Sequence, residues 1–205
     1  RVIYFPADLT IPHEIKDLVK KIESDLGSID ILINNAGMQF VSSLEDFPEE
    51  KWHQIMALNL SAAFFTTQAV IAGMKSKRWG RIINISSAHG LVASPFKSAY
   101  VAAKHGLIGL TKVTALEVAQ EGITCNALCP GFIHTPLVED QIQAQMLATG
   151  LSRERVIQEV ILTKHPNKEF VESDHICAYV RLLCSESGRS TTGASIPIDG
   201  GWTAT

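Results

Sequence analysis

Two hydrophobic patterns alternate along the chain: short continuous apolar runs, and longer segments in which apolar residues recur every three or four positions. Continuous runs are typical of strands buried in a parallel sheet, and the periodic segments are typical of amphipathic helices. The runs predict strands at residues 2–5, 31–33, 81–85 and 122–128, and a last strand and turn within residues 194–202. We therefore expect an open α/β sheet.

The periodic segments predict the helices that connect these strands. They lie at residues 10–22, 48–74, 98–120, 137–147, 153–162 and 176–183. Thr10, Ser98 and Ser152 are expected to cap three of these helices, and Pro48 to open another. The helical pieces within residues 136–170 follow a Pro-Gly turn, where a substrate lid is expected.

Composition narrows the class of protein. The 205 residues are 46% hydrophobic with a formal net charge of -3, which suits one globular domain spanning residues 1–205. The basic residues are scattered, so we expect no nucleic-acid binding. The longest uncharged segment, residues 57–74, contains several polar residues and is interpreted as a buried helix, without a membrane span. The four cysteines lack metal-ligand spacing, so we expect free thiols and no metal site.

Candidate chemistry centres on Tyr100 and Lys104, which are four residues apart on a predicted helix and therefore share one face. A nearby ammonium favours the phenolate, so Lys104 is expected to lower the pKa of Tyr100 and make it an acid/base group. Such pairs also arise by chance on solvated helices. Ser86 and Ser87 favour the catalytic interpretation, because they end the preceding strand, where open α/β sheets place their chemistry.

These residues belong to a series of motifs in a fixed order. The series is Asn-Asn-Ala-Gly at residues 34–37, Asn59, Ser87, Tyr100 with Lys104, and Pro130 with Gly131. The chain thereby resembles the short-chain dehydrogenase/reductase family along its whole length. This resemblance implies a Rossmann-like, doubly wound parallel sheet and an NAD-dependent enzyme that transfers hydride.

The resemblance also implies a role for each motif residue. Ser87 would hold the substrate oxygen, Tyr100 would exchange its proton, and Asn59 would hold a water linked to the lysine; a core asparagine with satisfied hydrogen bonds is the alternative. The implied catalytic residues are Asn59, Ser87, Tyr100 and Lys104. The implied cofactor-binding residues are Asp8, Asn35, Ala36, Gly37, Tyr100, Lys104, Pro130, Gly131, Ile133 and Thr135. For Asp8, a turn or capping role is the alternative.

Within the family the resemblance is closest to the dehydrogenases that oxidise D-3-hydroxybutyrate to acetoacetate. The substrate-binding residues that it implies are Gln39, Ser87, His89, Lys97, Tyr100, Gln141 and Trp202. Lys97 and His89 would neutralise a small carboxylate, although a solvated loop lysine and a turn histidine are the alternatives. Gln141 could equally be an ordinary polar helix position. Phe132 departs from the tryptophan expected there, which keeps ring bulk but loses an N–H donor.

The Gly-rich phosphate turn of the family is not found in this sequence. We expect a βαβ unit of roughly 30 residues or more to be missing before residue 1. The sequence is then expected to be a fragment or an incompletely represented enzyme, in which the strands at residues 2–5 and 31–33 lack partners. Other short-chain enzymes, such as a 3-oxoacyl reductase or a sugar or polyol dehydrogenase, remain alternatives. So does a cofactor-free interaction subunit that pairs through its long helices. The resemblance implies a homo-oligomer, specifically a tetramer, and the cytoplasm is the expected compartment.

Overall fold

The fold is that of a computed structural model, which describes residues 2–204 except for the side chain of Leu137. Its sheet has four parallel strands in the order β1 (Ile31–Asn34), β2 (Gly80–Ile85), β3 (Ile123–Pro130) and β4 (Ser195–Ile198). Neighbouring strands stay in register, with Ile82 opposite both Leu32 and Cys125. The predicted α/β fold with a parallel sheet is confirmed.

Helices connect the strands on both sides of the sheet. They are α1 (Pro12–Leu26), α2 (Glu49–Met56), α3 (Ala62–Lys77), α4 (Ser98–Val118), α5 (Pro136–Thr149), α6 (Arg153–Arg155) and α7 (Ser173–Cys184). A π-helical turn at Ala57–Ser61 joins α2 to α3, so that the helical segment is continuous from Glu49 to Lys77. This segment matches the prediction of one long helix to within a few residues.

The core lies on both faces of the sheet, because successive side chains of a strand point to opposite faces. On one face Ile82 packs with Val70 and Met74 of α3 and with Val118 of α4. On the other face Ile83 and its neighbours pack against α7. Helices cover both faces, and the sheet is doubly wound.

A chain of buried hydrogen bonds crosses the sheet near the carboxyl ends of β1 and β2. Thr66 Oγ1 of α3 donates to Asn34 Oδ1 at 2.7 Å, and Asn34 Nδ2 donates to Asn84 Oδ1 at 2.8 Å. Asn84 Nδ2 then donates to Thr111 Oγ1 of α4 at 2.8 Å, and Thr111 donates to the Leu107 carbonyl. The chain therefore fixes two strand ends and two helices relative to one another.

The strand predicted at residues 2–5 is wrong: the segment has no regular structure, and Val2 and Tyr4 are 99% and 85% exposed. A strand needs a hydrogen-bonded neighbour. Within residues 2–204, β1 pairs with β2 alone, and residues 2–5 do not pair with its open edge. Ile31 and Ile33 of that open edge are partly exposed.

Two of the predicted helix caps are also wrong. α1 begins at Pro12, and Thr10 instead donates through its hydroxyl to Asp8 at 2.7 Å. Ser98 is the first residue of α4, and its buried hydroxyl has no hydrogen-bond partner within the described part of the chain. Ser152 does cap α6, since its side chain accepts from the Arg155 N–H, as predicted.

The long segment from Glu49 to Lys77 is apolar and long enough, by length and composition alone, to cross a membrane. Its polar residues Asn59, Thr66 and Thr67 are nevertheless buried against the rest of the molecule. Buried polar groups of a core helix find partners within the protein, and Thr66 bonds to the sheet as described above. We interpret the segment as a core helix of the α/β fold.

Candidate active site

A cavity of about 240 Å³ opens at the carboxyl ends of the parallel strands. Asn35 follows β1, Ser86 and Ser87 follow β2, and Pro130 ends β3, and all four residues line this cavity. Because the strands are parallel, their carboxyl ends meet at one edge of the sheet. The sheet thus brings together residues that are far apart in the sequence.

Helix α4 adds Tyr100 and Lys104 to the same cavity. Lys104 is almost fully buried, its Nζ donates to the Ile85 carbonyl at 2.7 Å, and the same Nζ lies 5.6 Å from the centroid of the Tyr100 ring. Burial lowers the pKa of Lys104 to about 8. The ammonium is therefore fixed beside the phenol by β2, but its charge is costly to keep in this buried position.

The pKa of Tyr100 differs from the expectation. Burial raises it above its ordinary value, and a hydrogen bond with the Ser87 side chain opposes part of that rise. The predicted lowering by Lys104 is wrong for the protein alone, because removal of the phenol from water dominates the shift and the only opposing cause is the Ser87 hydrogen bond. At neutral pH Tyr100 therefore carries its proton and can act as an acid.

Asn59 lies in the π-helical turn and not on the cavity wall. Its Oδ1 accepts from the Met38 N–H at 2.9 Å, and its Nδ2 donates to the Met38 carbonyl at 2.8 Å. Both ends of the side-chain amide are thus used to hold the loop that contains Gly37, whose backbone approaches Asn59 and Lys104. These contacts match the structural alternative for Asn59, and its catalytic role remains a prediction.

The side chains expected to hold the substrate form a polar wall of the same cavity, and one of them, Lys97, directly precedes the catalytic helix α4. All five distinctive residues of this wall line the cavity: Gln39, His89, Lys97, Gln141 and Trp202. His89 is buried, with its ring centroid 4.9 Å from Trp202 and 6.0 Å from Tyr100. Burial, and then the charges of Lys97, Lys164 and His105, lower the pKa of His89 to about 3. His89 is therefore neutral at physiological pH, and the positive charge of this wall comes from lysine.

Phe132 completes an aromatic layer at the same wall. Its ring is stacked on Trp202 at 5.9 Å with an interplanar angle of 6°, and Lys97 Nζ lies 5.5 Å from its centroid. A phenyl ring keeps this stacking and the cation–π contact without a polar atom. The departure from tryptophan thus preserves the apolar side of the cavity and removes only an N–H group.

His165, which the sequence analysis did not single out, supports the site from outside the cavity lining through its contacts with Phe132 and Trp202. It is fully buried, its Nε2 accepts from the Phe132 N–H at 3.0 Å, and its Nδ1 pairs with the Glu169 carbonyl at 3.0 Å. A carbonyl only accepts and an N–H only donates, so the imidazole is neutral with its proton on Nδ1. A Cβ at Gly131 would overlap His165 Nε2, so the glycine permits this close contact. In the sequence, Gly131 and His165 are more than 30 residues apart, and no local pattern indicates that they are in contact.

Two predicted cofactor-binding residues lie outside the main cavity. Asp8 is exposed and accepts from the Thr10 N–H and hydroxyl, bonds that lower its pKa. These bonds match the turn alternative for Asp8. Ala36 lines a neighbouring cavity of about 190 Å³ together with Leu9 and Asn35.

The remaining predicted residues form walls that fit the nicotinamide end of a dinucleotide. Asn35 and Gly37, from the loop after β1, line the cavity together with Pro130, Gly131, Ile133 and Thr135, from the end of β3 and the loop after it. Between them, Lys104 and Tyr100 provide a cation and a hydroxyl, which suit ribose hydroxyls, and the loop after β3 provides backbone groups suited to a carboxamide. Within residues 2–204, no cluster of three or more metal-ligating side chains is found.

Comparison with known proteins agrees with this geometry. The sequence profile of the short chain dehydrogenase family matches residues 1–146. A D-beta-hydroxybutyrate dehydrogenase of Rhizobium meliloti strain 1021 is 52% identical over 203 residues, which cover 99% of this chain and 79% of that protein. A protein of the same name from Cupriavidus necator is 52% identical over 204 residues, covering 100% and 79%. A 3-oxoacyl acyl-carrier-protein reductase of Vibrio cholerae is 36% identical over 194 residues, covering 95% and 75%.

The family match spans most of the chain, and the two relatives at 52% identity extend over nearly all of it. Both kinds of match agree with the parallel sheet and with the serine, tyrosine and lysine that meet at its carboxyl edge. The chain is therefore an oxidoreductase, and it belongs to the short-chain dehydrogenase family.

Proposed function

We propose that this protein oxidises D-3-hydroxybutyrate to acetoacetate, and catalyses the reverse reduction, with NAD as the cofactor. The observation that carries the proposal is one cavity lined by Ser87, Tyr100 and Lys104 together with a further lysine, Lys97, and two side-chain amides. The names of the two relatives at 52% identity support the same substrate. When bound, the nicotinamide supplies the hydride acceptor and, while oxidised, a further positive charge.

The proton chemistry follows from the state of Tyr100. The buried phenol holds its proton at neutral pH, so in the direction of reduction it gives that proton to the carbonyl oxygen of the keto acid. The Ser87 hydroxyl donates to the same oxygen and holds it near the phenol. In the direction of oxidation Tyr100 must first lose its proton, so additional positive charge or a higher pH favours that direction.

The carboxylate of the substrate is assigned to the polar wall. Lys97 supplies the charge there, and Gln39 and Gln141 supply amide N–H groups. Lys97 is partly buried, and burial and the nearby charge of Lys164 lower its pKa. A bound carboxylate relieves both of these costs, because it pairs with the lysine and reduces the repulsion between the two cations.

The test compares NAD reduction with D-3-hydroxybutyrate, its L enantiomer and its methyl ester. We expect turnover of the D acid, little with the L acid, and a kcat/KM for the ester that is lower by roughly 10-fold or more, as loss of one charge-assisted pair implies. Lys97→Met should remove most of the difference between acid and ester. Equal kcat/KM for the acid and the ester would refute the carboxylate assignment.

The same assay separates the alternatives. A 3-oxoacyl reductase would prefer a thioester over the free acid and would use NADPH in the direction of reduction, and a polyol dehydrogenase would oxidise uncharged substrates. A cofactor-free subunit would show no enhancement of NADH fluorescence on titration. Any of these outcomes would replace the proposed function.

We also propose a cytoplasmic homo-oligomer, specifically a tetramer. Within the described residues all four cysteines are free thiols, which suits a reducing compartment. Phe64 of α3 and Val113 and Leu116 of α4 are exposed apolar residues on the two long helices expected to pair. Light scattering of the purified protein tests the assembly.

A further inference from the structure

A chain of polar contacts links the segment predicted as a lid to the cavity. Lys164 ends a 3₁₀ turn at Ile161–Lys164, and its Nζ donates to Ser94 Oγ at 2.7 Å. Ser94 lies in the loop between β2 and α4, and its Oγ is 2.9 Å from His89 Nε2. Residues that are 70 positions apart thus meet on a single hydroxyl group.

The chemistry of these groups favours one direction for the second hydrogen bond. An ammonium has only donors, so Ser94 Oγ must accept from Lys164. A hydroxyl that accepts from a cation is polarised and becomes the stronger donor. Its proton is then directed to His89 Nε2, since an N–H pointing towards the lysine would face a positive charge. This arrangement leaves the imidazole proton on Nδ1.

The position of His89 in the cavity makes its Nδ1 proton available to a bound ligand. The ring lines the cavity between Tyr100 and Trp202. The contact with Ser94 uses Nε2, so Nδ1 is the ring nitrogen left for a ligand in the cavity. Lys164 Nζ also lies 5.4 Å from the centroid of the Trp202 ring. The lysine therefore contacts both Ser94, which bonds to His89, and Trp202, which packs against His89.

We infer that Ser94 and Lys164 are positioning residues that fix the tautomer of His89, so that Nδ1–H donates to the carboxylate of the substrate. The inference rests on the proposed function for the identity of the substrate, but the tautomer itself does not depend on it. Neither residue needs to touch the substrate. Their effect is on affinity and on the discrimination of acids, and not on the proton transfer at Tyr100.

The first experiment is ¹⁵N NMR of the histidine rings in the purified protein, with His89 assigned by its loss in His89→Gln. We expect His89 Nε2 to resonate as an unprotonated acceptor and Nδ1 as a protonated nitrogen. In Ser94→Ala the two signals should move towards the opposite tautomer or a mixture, whereas Ser94→Thr, which keeps the hydroxyl, should restore them. A protonated Nε2 in the unmodified protein would overturn the inference, whether or not any variant folds.

The second experiment is steady-state kinetics. Ser94→Ala and Lys164→Met should raise KM for D-3-hydroxybutyrate roughly five- to tenfold, as for a weakened hydrogen bond to a charged group, with kcat changed less than about twofold. Lys164→Arg should recover most of the affinity, and Lys20→Met, which removes an exposed lysine of α1, should match the unmodified protein. Unchanged KM in both test variants, or an equal fall in kcat, would overturn the assigned role. If the unmodified protein fails to oxidise D-3-hydroxybutyrate, the proposed function fails, and binding of acetate in place of the substrate then decides the role of the tautomer.

Discussion

Replacement of His165 by leucine should destabilise the protein and loosen the loop after β3. The side chain is fully buried and joins that loop to the turn at Glu169 through two hydrogen bonds of 3.0 Å. Leucine has a similar size, so the packing volume is largely kept while both bonds are lost. The Phe132 N–H and the Glu169 carbonyl are then left without this partner in a partly buried region.

The magnitude follows from those two bonds. Each contributes about 0.5–1.5 kcal/mol, and each partner left unsatisfied costs up to about 1–3 kcal/mol when fully buried. Because Phe132 is only half-buried and Glu169 is exposed, the lower part of this range applies, and we expect a total loss of about 2–4 kcal/mol. Urea unfolding of the purified protein measures it. His175→Leu makes the same chemical change at an exposed position of α7 and should lie within about 0.5 kcal/mol of the unmodified protein.

The pH dependence gives an independent check. Burial lowers the pKa of His165 below its ordinary value of 6.5. Below pH 6.5 the unfolded chain therefore binds a proton at this histidine more readily than the folded protein does. The stability contributed by the neutral ring is therefore present above pH 6.5 and is lost as pH falls below it. The loss on His165→Leu should shrink by up to about 1 kcal/mol between about pH 7 and pH 5.5. His89 also has a lowered pKa, but its titration is common to both proteins and cancels in the difference.

Two results would refute this reasoning. A loss below about 1 kcal/mol would mean that the two hydrogen bonds are replaced by water at little cost. A loss that grows as pH falls would mean that His165 is protonated in the folded protein. His165→Gln, which retains a donor and an acceptor, should lose less than the leucine variant and guards against a purely steric effect.

Three further predictions concern the reaction, the scaffold and the assembly. Tyr100→Phe should abolish turnover, while NADH binding, followed by fluorescence, should be kept. Because burial raises the pKa of Tyr100, oxidation by the unmodified protein should accelerate as pH rises from neutral. Near-normal turnover in the variant would exclude Tyr100 as the acid. Asn84→Ala and Thr111→Val should show a coupling of at least about 0.5 kcal/mol in a double-mutant cycle of urea unfolding, and strictly additive losses would contradict a direct bond between them. Leu116→Glu should shift light scattering towards smaller species, and an unchanged mass would move the interface elsewhere.

The sheet and the helices could be predicted well because their residues carry local signals. Continuous apolar runs located β1 to β4, and the helical period located the long segment from Glu49 to Lys77. The strand predicted at residues 2–5 failed for a reason that no local pattern contains. Its sequence is β-rich, but a strand forms only where a neighbour offers hydrogen bonds.

Some residues of the candidate site could likewise be predicted from local sequence signals, and others could not. Residues at or just after strand ends, such as Pro130 and Ser87, could be placed from the order of elements, since parallel strands end at one edge. His165, Ser94 and Lys164 could not, because their contacts depend on how the segment after β3 folds back over the cavity. The prediction of a lowered pKa for Tyr100 failed for an energetic reason. The spacing of the sequence reveals the neighbouring lysine, but not how deeply the phenol is buried.

The charge of the cavity connects these separate observations. No aspartate or glutamate lines it within the described part of the chain, while Lys97 and Lys104 both do. A buried and a partly buried ammonium group without an acidic partner in the cavity lining are costly, and burial lowers the pKa of each. In the proposed reaction an anionic substrate would pair with Lys97 and leave Lys104 as the cation beside Tyr100. If the proposed function holds, the deficit of negative charge that favours an acidic substrate also supports loss of the tyrosine proton during oxidation, so that substrate binding and proton transfer would have a common electrostatic origin.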